Sequence, residues 1–393
     1  MLQNVNQINL SYNRRIQVNN KANINMDPRK NNYKLIKEYY KVQSNLEHYL
    51  QNFSNSNFSE NFELLQYIGS GSSGVVYEGR CKREPQKHVC LKFLLNKSEE
   101  EKREKKYKKL YNLEKYPKIK EINIQGKLKD RHITQYYDYC DLKDYGCIIM
   151  EYAKFGDLEN FQKKMNHQNH QNSLSETLLA YLTRQILEGL YYIHQSKIIH
   201  MDIKQQNILI DQNFNIKITD FSVSFSYENY KENDKITLPL SGTSFYMSPE
   251  VLLKAKIDYE DCSKIDMFSL GVLLYNIAYE KFPFSLDYSI KRNFQLILEK
   301  IQTEKLVIPG DKKYSILFKK FLESLLERNI KNRISVSEAL DNPWIKGTDL
   351  LIKEKEKINN LEKFIINIMM DNVRSFNEYL KNNNSDTFHT SSN

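Results

Sequence analysis

Cysteine is scarce in this sequence: five residues in 393, at positions 81, 90, 140, 147 and 262, with no C-x-x-C pair. That scarcity excludes a disulfide framework and a zinc ribbon, and it fits a reducing, intracellular setting. Long apolar runs are missing as well. No stretch of about 18 apolar residues exists, and the opening MLQNVNQINL has no basic head followed by an apolar core. The chain is therefore expected to be neither secreted nor membrane-spanning. Leu2 stands where N-myristoylation needs Gly, so that anchor is not expected either. The net charge is +9, but the lysines are scattered among Glu and Asn, which predicts a solvated surface rather than a nucleic-acid site.

What is present argues for a folded centre. With 40% hydrophobic residues over 393 positions, the chain can fill the core of more than one domain. Residues 1–61 are rich in Asn, Gln and Ser and read as a flexible arm, with a short helical patch near Tyr33 to Leu50. From Phe62 the pattern turns to alternating and β-branched residues (FELLQYIG, GVVYEG, HVCLKF, GCIIMEY), which predicts strands up to about Tyr152. Helical periodicity follows in SETLLAYLTRQILEGLYYIH, with Ser175 as its N-cap. Between these lies KKMNHQNHQNS, read as a solvated loop whose His167 and His170 do not make a metal pair.

The first chemical motif is GSGSSGVVY, where Gly69, Gly71, Gly74 and Val76 fit G-x-G-x-x-G-x-V between two predicted strands. Such glycines let a hairpin backbone come close to phosphates. A dinucleotide fingerprint needs a helix opening directly after the glycines, whereas VVYEGR reads as strand. A ligand-free turn also stays open at this point. Further on, VCLK places Lys92 on an otherwise apolar strand, where an unpaired ammonium is costly and must find an anion or an acid.

Taken with HMDIKQQN at 200–207, ITDFS at 218–222 and GTSFYMSPE at 242–250, the chain from about Phe62 to Trp344 resembles a eukaryotic protein kinase of the Ser/Thr type. The resemblance implies an α+β, bilobal fold with a small β-rich N-lobe and a larger helical C-lobe. It also implies a kinase domain over 62–346 and an amphipathic helical tail over 347–393. ATP and Mg2+ would be its ligands and a Ser or Thr hydroxyl of a protein its acceptor. Lys92 would hold the α- and β-phosphates, directed by an acid on the first helix. Glu121 is the candidate and Glu114 the runner-up, since the charged insert NKSEEEKREKKYKKLYNLEKY lengthens the usual spacing. Asp202 would accept or orient the acceptor's proton, Lys204 would neutralise charge on the transferred group, and Asn207 and Asp220 would ligate Mg2+. Val76 and Cys90 would cover one face of the adenine and Leu209 the other. Met150 would be the gatekeeper, Glu151 to Ala153 the hinge, and Asp157 the ribose contact. Glu250 would pair with Arg333, and Asp266 would brace the catalytic loop.

Three departures stand out. Gln125 holds an ordinarily apolar place, Ser222 replaces the Gly after Phe221, and Met201 replaces the Arg that pairs with a phosphate on the activation segment. The commonly phosphorylated position of that segment is Pro239, so both partners of the switch are absent together, and activity is expected not to wait for phosphorylation of the segment, with Thr237 and Ser241 left open as sites of a variant switch. Gln206 and Asn276 stand where basophilic relatives carry acids, leaving Asp157 as the remaining Arg reader. The INIQ helix looks Aurora- or Polo-like, and DFSVSF with GTSFYMSPE looks closer to calmodulin-dependent kinase kinases. The tail's stripe from Leu351 through Ile358, Leu361, Ile365, Ile368, Val373 and Phe376 to Leu380 predicts a helix docked on the large lobe, or else a regulatory partner site. The alternatives are a pseudokinase scaffold and a small-molecule phosphotransferase of similar fold.

Overall fold

The computed structural model describes residues 57–71, 74–95, 117–142, 145–169, 174–310, 313–357 and 378–382. They divide into two units, residues 57–63 with Arg80–Gln86, and Leu64–Gly79 with the chain from Lys87 onward. In the first, the Lys82 amide donates to the Asn61 carbonyl at the end of a one-turn helix (2.8 Å), and Arg80 pairs with Glu63 at 3.4 Å. The second unit carries the predicted chemistry.

The alternating segments form strands β1 (Phe62–Gly71), β2 (Gly74–Cys81), β3 (His88–Leu95), β4 (Tyr136–Leu142) and β5 (Tyr145–Glu151), in the sheet order β1-β2-β3-β5-β4. Strand β3 runs antiparallel to β5 and sets Lys92 opposite Ile148 and Cys90 opposite Met150. Between β3 and β4 in the chain lies helix α1 (Pro117–Gln125). The buried Gln125 amide donates to the Thr134 carbonyl at 3.0 Å, so its polar group is satisfied and the helix seats without an apolar residue there.

Helices follow, as the periodicity predicts. Helix α2 (Leu158–Asn169) is capped by Asp157, whose carboxylate accepts the Asn160 amide at 2.8 Å. It runs through KKMNHQN, so the predicted loop is helical as far as Asn169; the cap and the inward Leu158 and Phe161 outweigh the polar composition. Helix α3 (Glu176–Gln195) has Ser175 as N-cap, accepting the Leu178 amide at 3.2 Å. Helix α4 (Lys264–Tyr279) is buried on nearly every side and forms the axis of the core, where Phe268, Phe318, Phe321 and Trp344 are fully enclosed. Strand β7 (Ile198–Ile199) leads out of α3 and pairs with β10 (Phe225–Ser226), while β8 (Ile208–Ile210) and β9 (Ile216–Ile218) make a hairpin, with β6 (Gly156–Asp157) on its edge. The chemical loops at 200–207 and 219–222 are thus held at both ends by short strands. Strand β11 (Lys235–Thr237) pairs antiparallel with β12 (Lys256–Asp258).

The buried Arg333 makes the predicted pair with Glu250, its Nη2 reaching Glu250 Oε1 at 2.8 Å and its Nη1 reaching Oε2 at 3.2 Å. Removing one partner leaves the other's charge buried and alone, a loss of about 3–5 kcal/mol. After residue 346 the chain continues into helix α5 (Thr348–Lys357), which Arg184 of α3 grips through Thr348 Oγ1 at 3.1 Å and through Asp349. Leu351 and Leu380 are buried in the large core, and the Tyr379 hydroxyl donates to the Pro343 carbonyl at 2.9 Å. At these two places the tail docks; Ile358 to Phe376 lie outside the described residues.

Candidate active site

Lys92 is buried on β3 and sits between two carboxylates, Glu121 Oε1 of α1 at 2.6 Å and Asp220 Oδ1 at 3.0 Å. Burial alone would lower the Lys92 pKa, but the two acids outweigh it and raise it, so the ammonium stays charged. The structure therefore pairs Lys92 with Glu121, 29 positions along; the runner-up Glu114 lies outside the described residues. Burial pushes the Asp220 carboxyl up, and the Lys92 ammonium with hydrogen bonds from Lys92 and Ser222 outweighs that, holding it at about 2.

The loop after β7 is fixed from below by Asp266 of α4. Its carboxylate accepts the His200 and Met201 amides at 2.8 Å each and meets His194 Nε2 at 2.9 Å. His200 accepts the Asp202 amide on Nδ1 at 3.2 Å and donates from Nε2 to the Thr219 carbonyl at 2.9 Å. Its ring lies edge-on to the fully buried Phe221, with centroids 4.9 Å apart. One imidazole therefore joins the 200–207 loop to the 219–222 loop.

Asp202 Oδ2 accepts Lys204 Nζ at 2.6 Å and Asn207 Nδ2 at 2.9 Å, and Oδ1 accepts the Thr243 amide at 2.8 Å. Lys204 Nζ reaches Thr243 Oγ1 at 2.8 Å. Two loops converge here, which requires Gly242: at φ +106, a Cβ on it would stand 2.4 Å from the Met201 carbonyl oxygen. Gly74 is required in the same way, a Cβ there lying 2.3 Å from the Phe93 carbonyl, whereas Gly69 has nothing within 4 Å of its absent Cβ. Among the described residues, the space over Gly69 is open.

Val76, Cys90 and Leu209 are half-buried apolar positions, while Met150 and Ala153 are buried at the end of β5. Burial pushes the Cys90 thiol up to about 12, so it remains protonated and acts as a small apolar side chain. Glu151 ties Lys217 at 2.8 Å and the Gln135 amide at 3.1 Å. Asp157 is half-buried as the α2 cap. Gly71 closes β1.

Met201 is only 4% exposed and has a left-handed backbone, φ +66. It packs in an apolar cluster with Ile199, Tyr227, Ile236, Leu238, Met247, Val251, Ile257, Cys262 and Ile265. Sequence reasoning registered the loss of an Arg here and missed this contact. It also missed that the Glu159 carboxylate accepts the Gln206 amide and pairs with Lys163 at 2.6 Å. The (i, i+4) spacing of Glu159 and Lys163 was the available signal.

Among the described residues no cluster of three or more His, Cys, Asp or Glu side chains is poised to hold a metal, and no helix is long and apolar enough to cross a membrane. A family model described as the protein kinase domain matches residues 62–345. Serine/threonine-protein kinase ULK1 of Homo sapiens is 28% identical over 295 residues, covering 72% of this chain and 25% of that protein. Serine/threonine-protein kinase 36 of Mus musculus is 31% identical over 297 residues, 75% of this chain and 20% of that protein. Serine/threonine-protein kinase PLK4 of Drosophila virilis is 27% identical over 286 residues, 73% and 33% respectively. The chain thus spans between a fifth and a third of the length of these relatives. With the β-sheet, the helical core and the two converging loops in place, the chain belongs to the protein kinase family.

Proposed function

We propose that the chain transfers the γ-phosphoryl group of ATP to Ser or Thr hydroxyls of protein substrates. The observation that carries this reading is the pair of converging constellations, Glu121–Lys92–Asp220 on one side and Lys204–Asp202–Asn207 on the other. The open space over Gly69 suits a phosphate brought against backbone. The acceptor oxygen attacks the γ-phosphorus, a new O–P bond forms, and the bond to the β–γ bridging oxygen breaks. ADP leaves with that electron pair, and the acceptor's proton passes to the Asp202 carboxylate. Little covalent work falls on the protein, so Asp202 acts mainly by orienting the hydroxyl. Lys204 sits beside it, where it can neutralise charge on the group in transfer.

Asp220, ionised and hard, and the Asn207 amide oxygen would hold a magnesium ion, which would supply charge neutralisation to the phosphates. The names of the relatives support the Ser/Thr acceptor, and five free thiols fit a reducing compartment.

The three departures do not empty the site. Gln125 has its acceptor, Asp220 keeps its charge with Ser222 two residues on, and Met201 is packed. The test is incorporation of labelled γ-phosphate, with magnesium, into a degenerate peptide library carrying a single Ser, Thr or Tyr. Label on Ser or Thr members is expected. ATP bound without any transfer points to a scaffold, and transfer to small alcohols alone points to the small-molecule phosphotransferase; either result overturns the reading.

A further inference from the structure

Lys217 is a buried cation that neither the phosphate-binding nor the phosphoryl-transfer constellation uses. It sits in the middle of β9, between the fully buried Ile216 and Ile218. An ammonium left unpaired there is costly, so its partner is informative. Among the described residues that partner is Glu151, the last residue of β5, whose Oε1 accepts Lys217 Nζ at 2.8 Å. If the pair served stability alone, apolar residues of similar size would do as well, since replacing a buried ion pair by packed apolar groups is often neutral or stabilising.

The strand registers locate the pair. Across β6, β8 and β9, Asp157 stands opposite Leu209, and Leu209 opposite Lys217. Residues directly opposite in antiparallel strands share a face, so these three form one row, stepped by about 4.8 Å per strand. With Asp157 at the ribose and Leu209 under the base, Lys217 comes next in the row, past the base. On the facing wall Cys90 stands opposite Met150 and Val89 opposite Glu151. The Glu151 carboxylate is held twice, by Lys217 on Oε1 and by the Gln135 amide on Oε2 at 3.1 Å, and the Glu151 amide donates to the Gln135 carbonyl at 2.8 Å. The start of the stretch that leaves β5 is thereby fixed against the hairpin. Its far end is fixed there too, because the Phe155 amide donates to the Ile210 carbonyl at 3.0 Å. Lys217 also lies three residues before Asp220, so one strand carries both the tie to Glu151 and the acid beside Lys92.

We propose that Lys217 is a positioning residue for the nucleotide: through its ion pair with Glu151 it sets the gap between the stretch 151–153 and Leu209, and with it the preference for adenine over guanine. This rests on the kinase reading above and deepens it with a residue that lies outside every motif quoted for that reading. A base met by backbone groups is told from another purine by where those groups stand, since adenine presents a donor where guanine presents an acceptor. A stretch free to shift loses that discrimination.

The experiment measures initial rates of the full chain with magnesium and a Ser- or Thr-containing peptide, against ATP and against GTP. Lys217→Met keeps the length of the side chain and removes its charge. In it the KM for ATP is expected to rise about tenfold, the scale of one hydrogen bond to a charged group, with kcat held within about threefold. The ratio of kcat/KM for ATP to that for GTP is expected to fall by about threefold or more. Lys217→Arg, which keeps a cation, should bring the KM back to within about threefold of the unaltered chain. Glu151→Gln should raise the KM as Lys217→Met does, and the double variant should be no worse than either single change, because one interaction is lost only once. A KM for ATP that Lys217→Met leaves unmoved overturns the proposal. So does a fall in kcat alike for both nucleotides, with their ratio kept and the melting temperature lowered, which assigns the pair to the fold alone. If the unaltered chain transfers no phosphate, the kinase reading itself fails, a separate result. Calorimetric dissociation constants for ATP then test the tie, and equal constants in the unaltered chain and in Lys217→Met, or no binding in either, overturn it.

Discussion

Asp202→Asn is expected to reduce kcat by a factor of about 10²–10⁴, the range for losing a positioned acid or base, while ATP affinity and folding stay close to those of the unaltered chain. The carboxylate accepts three protein donors, from Lys204, Asn207 and the Thr243 amide. An amide in its place must present NH2 to one of them. It also cannot take the acceptor's proton. The substitution therefore strikes both the orientation of the hydroxyl and the tie between the catalytic loop and Thr243, without touching Lys92, Glu121 or Asp220. Initial rates at saturating ATP, read beside the ATP dissociation constant, check this. A loss of less than about tenfold removes Asp202 from the chemistry.

Met201→Asp is expected to lower turnover by about tenfold or more and to expose residues 223–241 to limited proteolysis. The Met201 side chain stands in the cluster that receives Tyr227, Ile236 and Leu238 from the segment after Phe221. A carboxylate placed there has no cation in that cluster to meet, at a cost of ~3 kcal/mol or more borne locally. Met201→Leu, which keeps the volume, should retain turnover within about twofold. In this chain apolar packing and the β11–β12 ladder hold the segment. Thr237→Ala with Ser241→Ala should therefore also leave turnover intact. The Ser241 hydroxyl is buried and has no hydrogen-bond partner among the described residues, a poor substrate for modification. Full activity in Met201→Asp, or loss in the Thr237 and Ser241 variants, contradicts this account.

Much of the site could be read from local strings because each string is a local device. A Gly-rich hairpin, a Lys on an apolar strand and short polar loops between β-branched runs carry their chemistry within ten residues. The Glu250–Arg333 pair and the bracing by Asp266 were legible from the family resemblance and are met in the structure. What stayed hidden depends on distant chain segments. The partners of Met201 come from positions between 199 and 265, and nothing at Met201 itself announces them. Glu159 restores a carboxylate beside Gln206 from another element, so the expectation that Asp157 alone remains there is incomplete. The Asn- and Gln-rich stretch after Phe161 looked like loop by composition, and only its cap and inward face reveal a helix.

Lys92 and Asp220 are proposed to hold a nucleotide's phosphates together with a divalent ion. Titration of ATP into the full chain by calorimetry, with and without magnesium and again with Asp220→Ala, puts this to the test. Saturable binding that strengthens with magnesium is expected, and that strengthening is expected to vanish in Asp220→Ala. Binding that ignores magnesium, or no binding at all, would contradict it.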